Sequence, residues 1–203
     1  MLLEIAVFAG VVLAAGRSSR MGSPKALLTL EGQTFLACVV GAFRAGGCDP
    51  TVVVTGPEED EDAALIACAA REAGAAVATN PDRDTPQLDS VRAGLAVLPE
   101  NVEGVLISPV DAPAVTADLV RSLIDAAALG APVVLPSFRG RRGHPVLIGR
   151  TALQELAAGD LPRGARSLIQ RYEGSLVEVA AGPEVLLDVD TPADYQALRE
   201  RRT

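Results

Sequence analysis

Tryptophan is absent from this 203-residue sequence, aromatic side chains make up only 3% of it, and lysine occurs once, as Lys25. A core without large aromatics must be aliphatic, built from Val, Leu, Ile and Ala in layers of helix and sheet, and the length suits one such core. Positive charge is also scarce: 18 basic residues stand against 26 acidic ones, for a net charge of -8. That balance argues against nucleic acid or an anionic membrane as the main partner. Cysteine is limited to Cys38, Cys48 and Cys68, which lack metal-ligand spacing and leave one over after any pairing. The expectation is reduced thiols in a cytoplasmic protein, most of them small core residues. The apolar opening "MLLEIAVFAGVVLAAG" has no basic n-region, carries Glu4 early and is too short to span a bilayer. It reads as a buried strand rather than a leader or a membrane segment.

What is present is rhythm. Short apolar runs alternate with helical patterns: "GVVLAA" precedes a helix from about Thr34, and "TVVVTG" precedes "EEDEDAALIACAAREAG". "AAVATN" then leads to a helix near Asp89 to Leu98, and "GVLISPVD" to one from about Thr116 to Ala128, before "PVVLP" resumes the sheet. This is the βαβ pattern of an α/β fold with a mostly parallel central sheet, whose strands are continuously apolar because both faces are covered. After Pro136 the pattern changes to the basic turn "SFRGRRGHP", a strand "VLIG", two short helices, and strands "LVEV" and "VLLDVD". In the closing "TPADYQALRERR", Thr191 suits a helix N-cap and Pro192 the first helical position. One domain, residues 1–203, is expected.

Parallel sheets gather ligands at the carboxyl ends of their strands, and "GRSSRMGSPK" leaves the end of the first strong strand. Gly16 and Gly22 permit backbone angles by which successive N–H groups can converge on an anion, with Arg17, Arg20 and Lys25 adding charge. The loop fits neither the G-x-G-x-x-G dinucleotide fingerprint nor a Walker A loop. Pro24 biases Ser23 toward extended geometry, which presents Lys25 at a defined point. The alternative is an ordinary strand-to-helix turn. "VLISPVDAP" and "VLLDVDTP" place Asp111 and Asp190 at strand ends, hard oxygen ligands that suit Mg²⁺ carried by a phosphate substrate. Asp188, two residues before Asp190 on the same strand face, competes for that role. A turn cap for Asp111 and a helix N-terminal acid for Asp190 are the structural alternatives. "RGRRGHP" collects Arg139, Arg141, Arg142 and the single histidine, His144, as an anion site or as a solvated hairpin loop.

"LAAGRSSRMGSPKALL" resembles the signature loop of the MobA-like nucleotidyltransferases, and most of all their molybdenum-cofactor cytidylyltransferase branch. The likeness runs from about Gly10 to Tyr195. It implies a three-layer Rossmann-like fold of the nucleotide-diphospho-sugar-transferase type, with an NTP-binding part over about 10–112 and an acceptor-binding elaboration over about 136–190. It further implies that the loop wraps a triphosphate through Leu13, Ala14, Ala15, Gly16, Arg17, Ser18 and Gly22, with Arg20 and Lys25 catalytic. The L-A-A-G pattern goes with CTP in that family. "PVDAP" and "DVDTP" match the positions assigned to magnesium, here Asp111 and Asp190. "NPDRDTPQLDSVRAGL" resembles the segment that recognises base and ribose, through Asn80 and Ser90, although Pro86, Leu88 and Asp89 depart from the family's small residues. Ser90 also suits a helix cap or first turn. "GHP" and "GDLPRGARSLI", the latter with an added Leu161-Pro162, bring His144, Arg142 and Arg166 forward as acceptor contacts.

The resemblance thus implies transfer of CMP from CTP, with Mg²⁺, to the phosphate of a molybdenum-pterin cofactor, with pyrophosphate leaving. A molybdoenzyme or its chaperone is the expected protein partner. Three other readings stay open: a relative using GTP or another phosphorylated acceptor, a nucleotide-binding regulatory protein without turnover, and a dinucleotide-dependent oxidoreductase. The last lacks its glycine fingerprint.

Overall fold

A computed structural model describes residues 6–16 and 21–200. Strand β1 (Val7–Leu13) is followed by a 3₁₀ turn at Lys25–Leu27 and a small hairpin, β2 (Thr29–Leu30) and β3 (Gln33–Thr34). Then come α1 (Phe35–Gly46), β4 (Cys48–Thr55), α2 (Glu61–Glu72), β5 (Ala76–Thr79), α3 (Gln87–Leu95), β6 (Val102–Pro109) and α4 (Ala117–Ala128). The second half holds β7 (Val133–Phe138), β8 (Arg141–Arg142), β9 (Val146–Gly149), α5 (Arg150–Ala158), α6 (Ala165–Arg171), β10 (Val177–Ala180), a 3₁₀ turn at Pro183–Leu186, and α7 (Pro192–Glu200).

The main sheet runs β10-β7-β9-β6-β1-β4-β5, with β8 attached to β7. The β1–β4, β1–β6, β4–β5 and β7–β10 pairs are parallel, while β9 lies antiparallel between β6 and β7. The expected mostly parallel α/β sheet is therefore observed. Residues alternate across it. Phe8 and Val12 face the layer containing α1, α2 and α4, whereas Ala9, Val11 and Leu13 face α3, α5 and α6. Each layer buries its own aliphatic cluster, which makes three layers in all. Two glycines let the layers close. A Cβ on Gly10 would stand 2.5 Å from the Phe43 ring, and one on Gly94 would stand 2.7 Å from Val11.

Side-chain caps set where the helices begin. Thr34 accepts from the Ala37 N–H, Asp60 from Ala63 and Thr116 from Leu119, so the first turns of α1, α2 and α4 each have one of their free donors satisfied. α7 starts as expected at Thr191: its hydroxyl accepts from the Asp194 N–H at 3.2 Å, and Asp194 accepts from the Thr191 N–H at 2.8 Å. The helix packs back on the hairpin, with Tyr195 edge-on to Phe35 at 5.8 Å and donating to the Thr29 carbonyl at 2.6 Å.

Two expectations need correction. "VLLDVD" is not a strand: Pro183–Leu186 is a 3₁₀ turn, and residues 187–190 cross the carboxyl edge of the sheet without joining it. Gly182-Pro183 starts that turn, and the segment is held by single main-chain bonds, His144 N–H to the Val185 carbonyl at 3.0 Å and Val189 N–H to that of Asp111 at 3.0 Å. Of the cysteines, all free, only Cys48 is buried, its thiol pushed up to about 12 by that burial. Cys68 is exposed on α2. Among the described residues no helix is long and apolar enough to cross a membrane.

Candidate functional site

The chain switches sides of the sheet at β1, whose neighbours are β4 and β6, and this is where an open α/β sheet forms a crevice. Bonds beyond the strand ends fix its rim. Ala14 N–H donates to the Val54 carbonyl at 2.8 Å, Asn80 to Thr55 at 2.9 Å and Val110 to Leu13 at 3.0 Å. The segments carrying Ala14, Asn80 and Asp111 thus leave the sheet as continuations of its ladder. A cleft of about 430 Å³ opens between them. Leu13, Ala14, Ala15 and Gly16 line one part, and Asn80, Arg83, Thr85 and Ser90 another. Lys25, Asp111 and Asp190 complete it.

Lys25 stands at the start of the 3₁₀ turn, with Pro24 as its cap, as the proline suggests. Its Nζ donates to Asp111 Oδ2 at 2.9 Å and to Asp190 Oδ1 at 2.6 Å. The lysine side chain is 13% exposed. Burial works to lower its pKa, but the bonds and charges of Asp190 and Asp111 outweigh it and hold the ammonium above its ordinary value. Two carboxylates converging on one cation form a donor set that suits a divalent ion such as Mg²⁺, which binds through one or two carboxylates and completes its shell with water and phosphate. No group of three or more His, Cys, Asp or Glu able to hold a metal occurs among the described residues. Asp188 sits beside this pair. Partial desolvation raises its carboxyl, opposed by His144 and Lys25 and assisted by Asp111 and Asp190. Burial lowers the His144 imidazole against the charges of Asp188 and Asp111, so the ring is neutral near pH 7, and its Nδ1 has no partner among the described residues.

The β5–α3 loop is knit together by Asn80. Its Nδ2 donates to Thr85 Oγ1 at 3.2 Å and to Ser90 Oγ at 2.9 Å, while its Oδ1 accepts from the Asp82 N–H at 3.2 Å. Asn80 is therefore the organiser of this wall, and Ser90, buried on α3 rather than capping it, is the group it holds. Gly22 takes a positive φ of 69° but is not part of the cleft lining. Arg17, Ser18 and Arg20 lie outside the described residues.

None of the acceptor candidates lines the cleft. Arg142 donates through Nη1 and Nη2 to Glu173 and through Nε to Glu178 at 2.8 Å, a pairing that pushes its pKa up. Arg166 is exposed on α6. Sequence reasoning missed Arg83, Thr85 and Gln87, all cleft residues. The sequence signal for Arg83 is modest: a cation inside an acidic loop, four residues after the strand.

Fold and site together define a nucleotide-handling α/β protein with a lysine and two carboxylates at the carboxyl edge of its sheet. The chain belongs to the family of the MobA-like NTP transferase domain, whose model matches residues 10–176, and is a nucleotidyltransferase. It is 30% identical over 194 residues to a molybdenum cofactor cytidylyltransferase of Escherichia coli, covering 95% of this chain and 96% of that one. It is 32% identical over 202 residues to a probable molybdenum cofactor guanylyltransferase of Mycobacterium avium, covering 96% of each. A crystal structure of Rv0371c from Mycobacterium tuberculosis, in complex with manganese, superposes with a TM-score of 0.76 at 29% identity, over 96% of this chain and 99% of that chain.

Proposed function

We propose that the protein transfers CMP from CTP to the phosphate of a molybdenum-pterin cofactor, releasing pyrophosphate. The observation that carries the reading is the convergence of Asp111 and Asp190 on Lys25 beside a cleft lined by Leu13 to Gly16. Bound Mg²⁺ would supply charge neutralisation at the phosphates, held by Asp111 and Asp190. The chain's own groups do the rest. Backbone from Ala14 to Gly22 surrounds the triphosphate, and Lys25, turned from the carboxylates, stabilises charge as pyrophosphate departs. Arg20 serves the same end. An acceptor phosphate is already ionised near neutral pH, so attack on the α-phosphorus needs positioning rather than a base, and the protein's contribution is orientation and electrostatics. His144, beside Asp188, belongs to the acceptor side in this reading, together with Arg142 and Arg166. The likeness to the Escherichia coli cytidylyltransferase supports CTP and the pterin acceptor, and the manganese complex of the mycobacterial neighbour supports a divalent metal. A cytoplasmic setting and delivery to a molybdoenzyme or its chaperone follow from the same reading.

The likeness to a guanylyltransferase favours a second version of the same chemistry with GTP. One assay separates them: pyrophosphate release with Mg²⁺ and each of CTP, GTP, ATP and UTP, with and without molybdenum-loaded molybdopterin. Acceptor-dependent release with CTP alone is the expected result. Release with GTP moves the base assignment, and tight NTP binding without release under any acceptor overturns the catalytic reading in favour of a regulatory one.

A further inference from the structure

α3 turns two faces to two different parts of the molecule. Gln87 and Ser90, three positions apart, line the cleft, while Leu88 and Arg92, four apart, face the chain that joins α5 to α6. The helix has a fixed seat. A Cβ on Gly94 would overlap both Val11 and Val54, so α3 lies directly on β1 and β4.

Three ties bind residues 159–164 to its outer face. Arg92 donates through Nε to the Leu156 carbonyl at 3.3 Å and through Nη2 to the Gly159 carbonyl at 2.6 Å. The last carbonyls of a helix have no partner within it, and α5 carries no basic residue in its final turn, so a guanidinium from another helix supplies what this end lacks. Water could have served an end at the surface. Leu161 is buried in the same aliphatic cluster as Leu88. Gly164, at a φ of 59°, brings its backbone against the same side chain, where a Cβ would stand 3.9 Å from the Leu88 Cβ. Leu88 and Leu161 are both departures from the family's pattern, and they meet in one joint between helix and loop.

The loop is also settled within itself. Gly164 N–H donates to the Leu161 carbonyl at 2.8 Å and Arg163 N–H to Ser167 Oγ at 3.0 Å. Arg166 follows in the first turn of α6, exposed and without a hydrogen-bond or ion-pair partner among the described residues. Arg92 itself does not line the cleft. We propose that Arg92 is a positioning residue for the acceptor: by holding residues 159–164 on the helix that walls the nucleotide cleft, it sets Arg166 where the acceptor's phosphate can be met. The inference rests on the NTP-transferase reading, with Arg166 on the acceptor side, and adds the residue that fixes one substrate's contact to the other's wall.

The test is steady-state pyrophosphate release with Mg²⁺, CTP and molybdenum-loaded molybdopterin by the full chain and its Arg92→Met, Arg92→Lys and Leu161→Ala variants, beside urea unfolding of each. Arg92→Met should raise the KM for molybdopterin by about tenfold or more and leave that for CTP within about twofold. Arg92→Lys keeps one donor for the two carbonyls and should recover part of the loss. Leu161→Ala, which loosens the same joint, should shift the KM in the same direction. If Arg92→Met does not fold, the other two variants decide by the same split. A lowered urea midpoint with both KM values unchanged would overturn the inference, by making Arg92 a structural cap of α5 alone. So would an equal rise in both KM values. Failure of the transfer reading looks different: the unaltered protein then releases no pyrophosphate, and the variants are compared by equilibrium binding of molybdopterin in the presence of CTP. Weaker molybdopterin binding in Arg92→Met with CTP binding unchanged leaves the positioning role standing, equal binding overturns it, and no binding by the unaltered protein overturns both.

Discussion

Val189 and Asp111 are joined through their main chains, the Val189 N–H donating to the Asp111 carbonyl at 3.0 Å. That bond lays the segment before α7 across the end of β6 and sets two carboxylates, Asp111 and Asp190, on the same lysine. Neither acid is brought there by pairing of its own residue in a strand. The site's charge geometry depends on a single crossing of the sheet edge.

Replacing Lys25 with alanine should lower turnover by about 100-fold or more, the usual loss when a preorganised donor to developing charge is removed. Stability should fall less than turnover: Asp190 is 55% exposed and water can take over its solvation, while Asp111, 20% exposed, loses a partner. Single-turnover kinetics beside a urea titration would test the split. Unaltered turnover would sink the assignment of Lys25.

The ammonium of Lys25 occupies the carboxylate oxygens that a divalent ion would use, so the two cations compete. Without nucleotide, Lys25→Met should bind Mn²⁺ more tightly than the unaltered protein, and Asp111→Asn and Asp190→Asn more weakly. Calorimetric titration with Mn²⁺ reads this directly. Equal affinities in all four proteins would mean that these acids do not hold the metal.

Gly10 sits where β1 meets the Phe43 ring. Gly10→Val should overpack that contact and destabilise the fold by about 1–3 kcal/mol. Urea unfolding measures it, and a midpoint equal to that of the unaltered protein would show that the layer can shift.

Acid should loosen α7. The bonds from the Thr191 side chain and N–H hold the Asp194 carboxyl below its ordinary value. A lowered folded pKa contributes stability above the unfolded value of about 3.9 and loses it as the pH falls through the folded one. Glu155 and Glu173, held down mainly by Arg171 and Arg142, add losses of the same sign. Carboxyl-carbon NMR titration should find Asp194 titrating below free aspartate. A midpoint at the ordinary value would mean that the cap has no preference for the charged form.

The order of strands and helices was legible because parallel strands covered on both faces are continuously apolar, and caps such as Thr34, Thr116 and Thr191 mark their helices. Lys25, Asp111 and Asp190 were legible as types at the ends of apolar runs. Their contact was not, since Lys25 lies 86 positions from Asp111 and 165 from Asp190 and nothing local encodes it. "VLLDVD" reads as a strand by its apolar pattern, yet its apolar residues cover the sheet edge and α7 instead of pairing, so periodicity misleads there. Val189, for example, is buried with Phe35 and Leu198. Arg142 was legible as a cation, but Glu173 and Glu178, which engage it, come from a distant part of the chain.

The distance between Lys25 and Asp190 along the chain also has a meaning in time. At about 5–20 residues per second, a ribosome needs on the order of ten seconds or more between making one and making the other. Until residues 187–200 emerge and α7 settles on the Thr29–Thr34 hairpin, the lysine can meet Asp111 but not Asp190. A growing polypeptide therefore carries the pairing of Lys25 with its two carboxylates only half assembled until α7 has docked.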